Sequence, residues 1–415
     1  MLTTRGDSRT ARRSAVPGLL TAGALMNAAI AVVSPVSTIA AAQWLGTAWG
    51  AVPNTAAIVG TGVGAVALSR VIGRWGPRRG LLVGYLCAVA GALIAVPACA
   101  RGDVGDVVFG MLLLGLGNAS AFLSRYAMAD LYPSPRRGYA ISMLVWAASV
   151  GAVGGPLLLT PLVSAATRLG TSAFAGPFAF AAVAAAVAAL SLSALPAGGG
   201  TPATRVPVRT LLRSPAAAPS LAVMATAQVV MVAIMTAAPL DMHDHGAAFG
   251  PVGLTLSAHT LGMFALSPVT GRLVDRFGAR PVMGAGLAVL ALAAGLAAAG
   301  VAGRDPLRQV DLFLLGYAWN LCFVAGSAGL AGELPAAQRA RVEGAVDAAV
   351  WGMAAVASLA STTLLATGGY RMLAATSGAL IAVPALVLAL RADWSGSWRG
   401  ARRAGPDWSE PGSRT

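Results

Sequence analysis

The chain is dominated by apolar runs long enough to cross a lipid bilayer as helices. A hydrocarbon core about 30 Å thick needs about 20 apolar residues for each helical span. Such windows predict twelve spans, at 17–41, 47–68, 81–100, 106–128, 139–162, 173–195, 217–240, 250–270, 281–302, 310–331, 342–366 and 370–390. The runs are too long for outer-membrane strands. With 57% hydrophobic and 11% charged residues, the sequence predicts an all-α membrane protein with twelve transmembrane helices.

The charged residues are distributed unevenly along the chain. The net charge of +14 comes from arginine, because the chain has no lysine. Arginine clusters precede the first span, follow spans two, four, eight and ten, and occupy the segment between spans six and seven. This pattern predicts a multi-pass protein of the cytoplasmic (inner) membrane with both termini cytoplasmic. The basic charge thus indicates a lipid bilayer as partner and no nucleic acid. We read the first span as a retained helix, since its apolar run exceeds that of a signal peptide.

One long polar segment, rich in glycine and proline, divides the spans six and six. The predicted organisation is an N-terminal half at 1–195, a cytoplasmic linker at 196–216, a C-terminal half at 217–390 and a disordered tail at 391–415. An internal repeat supports this division. "SRVIGRWGPR" at 69–78 aligns without gaps with "GRLVDRFGAR" at 271–280, and both follow the second span of a half. A second, shorter repeat aligns Asp130 with Glu333, each after the fourth span of its half. The two halves are therefore predicted to be pseudo-symmetric.

The segment "GRLVDRFGAR" resembles the signature loop of the major facilitator superfamily of secondary transporters. The resemblance extends over nearly the whole chain through span count, loop lengths and both repeats. It implies an alternating-access cycle in which two halves rock about a central site near the midplane. The first-half copy departs from the family pattern, with Gly73 in place of aspartate and Ser69 in place of glycine.

The resemblance implies a gate built from the two repeated loops. The expected gating residues are Gly271, Asp275, Arg276, Gly278, Arg280, Arg70 and Arg74. An aspartate near a helix end can pair with arginines in one state and release them in another. The alternative is that the arginines only enforce topology, although an acidic residue adds nothing to topology. We expect the aspartate that pairs with arginines in one state only to be Asp275, in the C-terminal half.

All three histidines of the chain lie between residues 231 and 263, close to several methionines. Helical geometry places Met231 and His259 at similar depth near the midplane, with Met235 and Met263 one turn away on their respective faces. Met224 would extend the methionine row inward. Thioether and imidazole ligands suit copper(I), which is a soft ion. We therefore predict a site for transported copper at Met231, Met235, His259 and Met263.

The residues after span seven are expected to form an outer loop. Its side chains could collect a cation at the outer mouth: Asp241, Met242, His243, Asp244 and His245. The histidines of this loop could equally be ordinary solvated residues. The patterns MxxxM and HxxxM in spans seven and eight resemble the CcoA-like copper-importer branch of the same superfamily. That resemblance implies copper import, with the same four residues as ligands.

Three alternatives stay open at this point. Methionine is a flexible apolar filler that forms chance pairs one turn apart. Transporters with similar seventh and eighth helices can carry organic nutrients such as riboflavin. "SVGAVGGP", with Gly151, Gly155 and Pro156, partly resembles a motif of proton-coupled drug exporters, although close helix packing and a kink explain it as well.

The sequence lacks the usual signatures of catalysis. It contains no nucleotide-binding loop, catalytic triad or cofactor fingerprint, and a lysine-free chain cannot form a P-loop. We expect no enzymatic activity, no cofactor and a monomeric transporter. Cys87, Cys99 and Cys322 lie in or beside spans, and no two share an outer loop. No structural disulfide is predicted.

Overall fold

A computed structural model describes residues 5–131, 137–195, 217–300, 305–333 and 336–390 of the protein. Over these ranges the regular structure is helical, with no strand. The N-terminal helices are α1 (Arg5–Leu45), α2 (Val52–Trp75), α3 (Pro77–Arg101), α4 (Val104–Asp130), α5 (Arg137–Leu157), α6 (Leu159–Arg168) and α7 (Ala175–Ser191). The C-terminal helices are α8 (Ala217–Asp244), α9 (Phe249–Phe264), α10 (Ser267–Phe277), α11 (Ala279–Ala298), α12 (Asp305–Glu333), α13 (Ala336–Ala379) and α14 (Ala382–Leu390). Short 3₁₀ turns lie at Thr47–Trp49 and Leu192–Ala194.

The helices group into the twelve predicted spans. Nine segments of the described chain are long and apolar enough to cross a membrane, and the bent pair α5 and α6 makes a tenth. The shorter apolar helix α7 supplies another. One of the nine segments, Ala349–Ala389, contains two spans that meet at a kink at Gly369, where φ is 69°. The all-α fold with twelve membrane spans is confirmed.

Each half of the chain has its own apolar core. The first core is built mainly from residues 15–195, and the second mainly from residues 223–388. Met235 packs against both cores and so lies where the two halves meet. The predicted linker at 196–216 and tail at 391–415 lie outside the described residues.

The repeated segments adopt the same backbone conformation. In the first half the turn is Gly76, with φ 85° and ψ 164°, and in the second it is Gly278, with φ 89° and ψ 163°. A positive φ of this size favours glycine, which has no Cβ. The next helix starts directly at Pro77 or Ala279. The second repeat also coincides with matching helix ends, because α4 ends at Asp130 and α12 ends at Glu333.

Several predicted boundaries were wrong, because helices continue beyond their apolar windows. α2 continues past 68 to Trp75, so Arg70 and Arg74 are helical and exposed instead of lying in a loop. α8 likewise continues past 240 to Asp244. Hydropathy marks where a helix can contact lipid, but backbone hydrogen bonds and long arginine side chains let it extend beyond that region.

Span eight is interrupted where the sequence predicted one continuous helix. α9 ends at Phe264 and α10 starts at Ser267, with Pro268 in its first turn. Proline cannot donate the backbone hydrogen bond that would continue the helix. Asn320 on α12 compensates for the break, because its Nδ2 donates to the Met263 carbonyl and to the Ser267 hydroxyl, both at 2.7 Å.

Candidate functional site

A cavity of about 230 Å³ lies where the two halves meet. Its walls come from α1, α2, α5, α8 and α9. The lining residues are Ile30, Ala31, Ser34, Pro35, Thr38, Asn54, Ile58, Pro156, Met231, Val232, Met235, Thr236, Pro239, Leu256, His259, Thr260 and Met263. The four residues predicted to bind cargo all belong to this lining. No charged side chain is among these described residues.

His259 is a buried polar residue of the cavity lining. The residue is 2% exposed, and its Nδ1 lies 2.9 Å from the backbone carbonyl oxygen of Leu312 on α12. A carbonyl oxygen only accepts hydrogen bonds, so Nδ1 must carry the proton. Nε2 is buried and has no hydrogen-bond partner among the described residues. The neutral ring therefore keeps a free lone pair on Nε2.

Glycines bring α9 and α12 close together beside His259. A Cβ at Gly316 would overlap the His259 carbonyl oxygen, and a Cβ at Gly262 would overlap the Phe313 carbonyl oxygen. The same arrangement recurs in the first half, where Gly60 faces Leu112 and Gly115 faces Ala57. Small residues allow helices to pack at short distance in membranes. This close approach is what lets the imidazole reach Leu312.

The methionines differ in their surroundings. Met231 is buried, and Met235 and Met263 are half-buried at the cavity wall. Met224 is buried outside the lining, because its Cγ and Sδ pack against Gly326. The predicted inward extension of the methionine row through Met224 is therefore wrong: that side chain fills a gap between α8 and α12. Three thioethers and one imidazole line the same cavity.

Asn54 connects the two halves at the cavity. Its Oδ1 accepts a hydrogen bond from the Ser34 hydroxyl at 2.7 Å, and its Nδ2 donates to the Ser358 hydroxyl at 3.4 Å. Ser34 and Asn54 belong to the first half, whereas Ser358 lies on α13. The amide is thus occupied on both sides, which leaves His259 Nε2 as the fully buried, unpartnered side-chain atom among the described lining residues.

Hydrogen bonds join the two halves at one end of the helices. We call this the arginine-poor end; it carries the helix junctions at 45–52, 101–104 and 244–249. There the Gln43 amide lies 2.8 Å from His243 Nε2. Thr362 donates to the Ala48 carbonyl at 3.0 Å and accepts from the Ala51 amide at 3.3 Å.

The predicted gate lies at the opposite, arginine-rich end, where α2 and α10 terminate. Asp275 and Arg276 are exposed, and Arg276 stacks against the ring of Phe277 at 5.3 Å. Asp275 makes no ion pair with any described residue. Gly271 has open space around it, and Arg280 donates to the Leu388 carbonyl. The role of Asp275 and its neighbours in gating stays a prediction.

The predicted cation-collecting loop is mostly not a loop. Asp241 and Met242 lie on the helical end of α8 and are buried. Asp241 pairs with Arg308 of α12, whose guanidinium stacks over the Tyr370 ring at 4.3 Å. Asp241 therefore already has a cationic partner. His243 packs against Phe249, and the side chain of His245 is largely exposed.

The predicted span at 310–331 leaves Arg308 outside the helix, so the sequence does not predict this charged group. In the structure Arg308 is 6% exposed, and Asp311, one turn further along α12, is 2% exposed. Arg308 and Asp311 are three residues apart at the start of an apolar run. Residues at this spacing share a helix face, which is the sequence feature that could have indicated a buried charged group.

The glycine–proline motif of span five serves helix packing. A Cβ at Gly151 would overlap the Ala24 carbonyl oxygen of α1, and one at Gly155 would lie 2.8 Å from the Ala28 carbonyl oxygen. The span bends by 49° where α5 meets α6, just after Pro156. The packing and kink explanation accounts for these three residues.

Comparisons with known proteins agree with this architecture. The sequence model of the Major Facilitator Superfamily matches residues 220–410. The uncharacterised MFS-type transporter YdeG of Bacillus subtilis is 31% identical over 383 residues, which cover 87% of this chain and 88% of that protein. The riboflavin transporter RfnT of Brucella anthropi is 28% identical over 325 residues, covering 75% and 79%.

Solved structures extend the agreement to three dimensions. The xylose transporter XylE from E. coli, in a partially occluded inward-open conformation, superposes with a TM-score of 0.70 at 16% identity, covering 92% of this chain and 97% of that one. A POT family transporter superposes with a TM-score of 0.72 at 12% identity, covering 92% and 96%. Identities this low establish the fold alone. Together with the similarity to YdeG along most of the sequence, they show that the chain belongs to the major facilitator superfamily.

Proposed function

We propose that the protein is a secondary transporter that imports copper(I) across the cytoplasmic membrane by alternating access, with both termini on the cytoplasmic side. The observation that carries the proposal is the lone pair on His259 Nε2, which is unpartnered in a cavity lined by three thioethers. A buried polar atom without a partner costs free energy, so its retention points to a ligand.

The donor set suits a soft, singly charged ion. Thioethers and imidazole are ligands that copper(I) accepts, whereas calcium and magnesium require oxygen donors, usually with carboxylates. His259 donates its Nδ1 proton to a backbone carbonyl. This is the outer-shell contact that commonly orients a metal-binding imidazole. Neutral ligands also hold an ion loosely enough for release, which a transporter needs.

The hydrogen bonds between the halves at the arginine-poor end support a transport cycle by alternating access. They involve Gln43, Ala48 and Ala51 of the first half. Alternating access requires these contacts to break when the cavity takes up cargo from that side. Import would then begin with cargo entering at the arginine-poor end and finish with release at the arginine-rich end.

Uptake of an organic nutrient such as riboflavin is the second candidate. It is favoured by the similarity to RfnT and by a predominantly apolar cavity with few polar groups. Proton-coupled drug export has less support, since helix packing accounts for Gly151 and Gly155.

Accumulation of radiolabelled copper under reducing conditions tests the proposal in a host deficient in copper uptake. We expect uptake by the wild type, loss to the empty-vector rate in His259→Ala and a partial reduction in Met235→Ala. Met231→Leu should also reduce uptake, whereas Met224→Leu, a buried methionine of the same helix outside the cavity, should not. Wild-type accumulation at the empty-vector rate would refute copper as cargo, and riboflavin uptake would then be measured with the same variants.

A further inference from the structure

Span eight carries the proposed cargo ligands on one side of its interruption and the predicted gate on the other. His259 and Met263 belong to α9, whereas Asp275 belongs to α10. The two helices still form one membrane-spanning segment, Phe249–Phe277. We propose that Asn320 of α12 is a positioning residue that holds a hinge at this interruption, and that α10 moves about the hinge during each transport cycle. The inference rests on the transport function proposed above.

Asn320 bridges the two ends of the interruption. On the α9 side, its Nδ2 donates to the Met263 carbonyl oxygen at 2.7 Å. On the α10 side, the same Nδ2 donates to the Ser267 hydroxyl at 2.7 Å, and Oδ1 accepts from the Thr270 hydroxyl at 2.6 Å. Asn320 is 2% exposed, so these hydrogen bonds are shielded from solvent. One buried amide therefore fixes the start of α10 relative to the end of α9.

The short helix α10 has little other burial to hold it in place. Of its residues, all of which the structure describes, Thr270 is the one that is buried. Leu273 and Val274 are half-buried and pack against the second core. Segments with few buried contacts open more readily than the core of a protein. The hydrogen bond between Thr270 and Asn320 is therefore a main anchor of α10.

The first half provides an internal comparison without an interruption. Gly115 and Gly316 face equivalent carbonyl oxygens in the second span of their halves. Four residues after each glycine, the first half has Ala119 and the second half has Asn320. Ala119 is buried with its Cβ next to Gly64 of α2, and α2 is a continuous helix there. An unbroken helix thus faces alanine, and an interrupted helix faces asparagine.

The repeated sequences differ in the same sense at the interruption itself. Extended three residues towards the N-terminus, their gapless alignment places Val66 at the position of Pro268. Valine can donate the backbone hydrogen bond that proline lacks. An interruption inside a membrane helix leaves backbone groups that a neighbour must satisfy. The half with the interruption and its asparagine also carries Asp275, where the first half has Gly73. These three features occur together, as expected if they serve one movement.

Hydrogen–deuterium exchange of the purified full-length protein tests the hinge without cargo. In the wild type, the amides of 269–277 should exchange at least about tenfold faster than those of 67–75, the matching segment of α2. Asn320→Ala should speed exchange in α10 further, because the hydrogen bonds across the interruption are lost. Asn118→Ala is the matched control and should leave exchange in α10 unchanged. Asn118 donates to the Thr61 hydroxyl of the continuous helix α2 at 3.2 Å.

A double variant builds the first-half arrangement into the second half. Pro268→Val combined with Asn320→Ala supplies the missing backbone donor and removes the amide. Exchange in 269–277 should then fall to the level of 67–75. At equal protein levels, the maximal rate of copper(I) uptake should fall at least about tenfold, while the half-saturating concentration stays within about twofold. A role in folding alone would not separate these two quantities.

Three results would overturn the proposal. One is wild-type exchange in α10 that is no faster than in 67–75. Another is unchanged exchange in α10 of Asn320→Ala. The third is a maximal uptake rate of the double variant equal to that of the wild type. If the wild type carries no copper, the cargo proposal fails; the exchange measurements still decide whether the hinge exists, and riboflavin uptake replaces copper uptake in the comparison of rates.

Discussion

The chemistry of the central cavity depends on how one side chain is held. His259 is fixed through Nδ1 to a backbone carbonyl, so its tautomer is set by the helix next to it and not by solvent. The sequence placed His259 and Met231 near the midplane by counting residues along their helices, and both line the same cavity. It could not predict the Leu312 partner, because that contact depends on how α9 and α12 pack.

A substitution at Asp275 tests whether the exposed gate contributes to the transport cycle. Asp275→Asn should slow uptake by at least about fivefold, the lower range of typical coupling energies, because the charge is expected to stabilise only one state. The folded protein should retain its thermal stability, since Asp275 has no ion pair with a described residue to lose. The measurement is the initial uptake rate at equal protein levels. Arg74→Gln, in the half whose repeat lacks the aspartate, serves as the comparison and should transport nearly normally. Equal rates for Asp275→Asn and wild type would remove Asp275 from the gate.

Buried charge was the part of the molecule least accessible from the sequence. Arg308 and Asp241 lie near span ends, where hydropathy alone places them in water. The structure shows α8 extending to Asp244 and α12 beginning at Asp305, so both residues are covered by neighbouring helices. Whether a charge at a span end is solvated or paired depends on tertiary packing, which a window of twenty residues does not contain.

At the scale of helices, the glycine contacts between α9 and α12 determine the shape of the site. Twelve spans and the repeat could be predicted, because both depend on local composition and spacing. The interruption at Pro268 was missed, although proline at that position is visible in the sequence, because membrane helices often tolerate proline when a neighbour satisfies the freed backbone. Here Asn320 is that neighbour.

Gly316→Ala should disturb the site without touching the cavity directly. The added methyl group would overlap the His259 carbonyl oxygen, so α12 must move away from α9. We expect a loss of about 1–3 kcal/mol in stability from overpacking, and a large loss of uptake because His259 is displaced. Thermal unfolding in detergent and uptake at matched protein levels measure the two effects. Gly284→Ala on α11 is the control, because nothing lies within 4 Å of its Cβ position. Unchanged uptake by Gly316→Ala would show that the α9–α12 contact is adaptable.

At the scale of the whole molecule, the two halves meet through contacts at the arginine-poor end. A thiol crosslinker that bridges Gln43→Cys and His243→Cys, in a background without the native cysteines, should trap that end closed. Uptake should stop and should recover when a cleavable crosslinker is reduced, because alternating access requires this end to open. Gln43→Cys alone, treated in the same way, should transport normally. Continued uptake after complete crosslinking would show that cargo enters without separating these residues.

Several hydrogen bonds between the halves join groups that cannot ionise. Thr362 meets the backbone at Ala48 and Ala51, and Asn54 meets Ser358. Dissolved salt screens attractions between exposed charges but has little effect on hydrogen bonds between uncharged partners. These hydrogen bonds, which must break for the cavity to open outward, therefore have nearly the same strength in fresh and in saline surroundings.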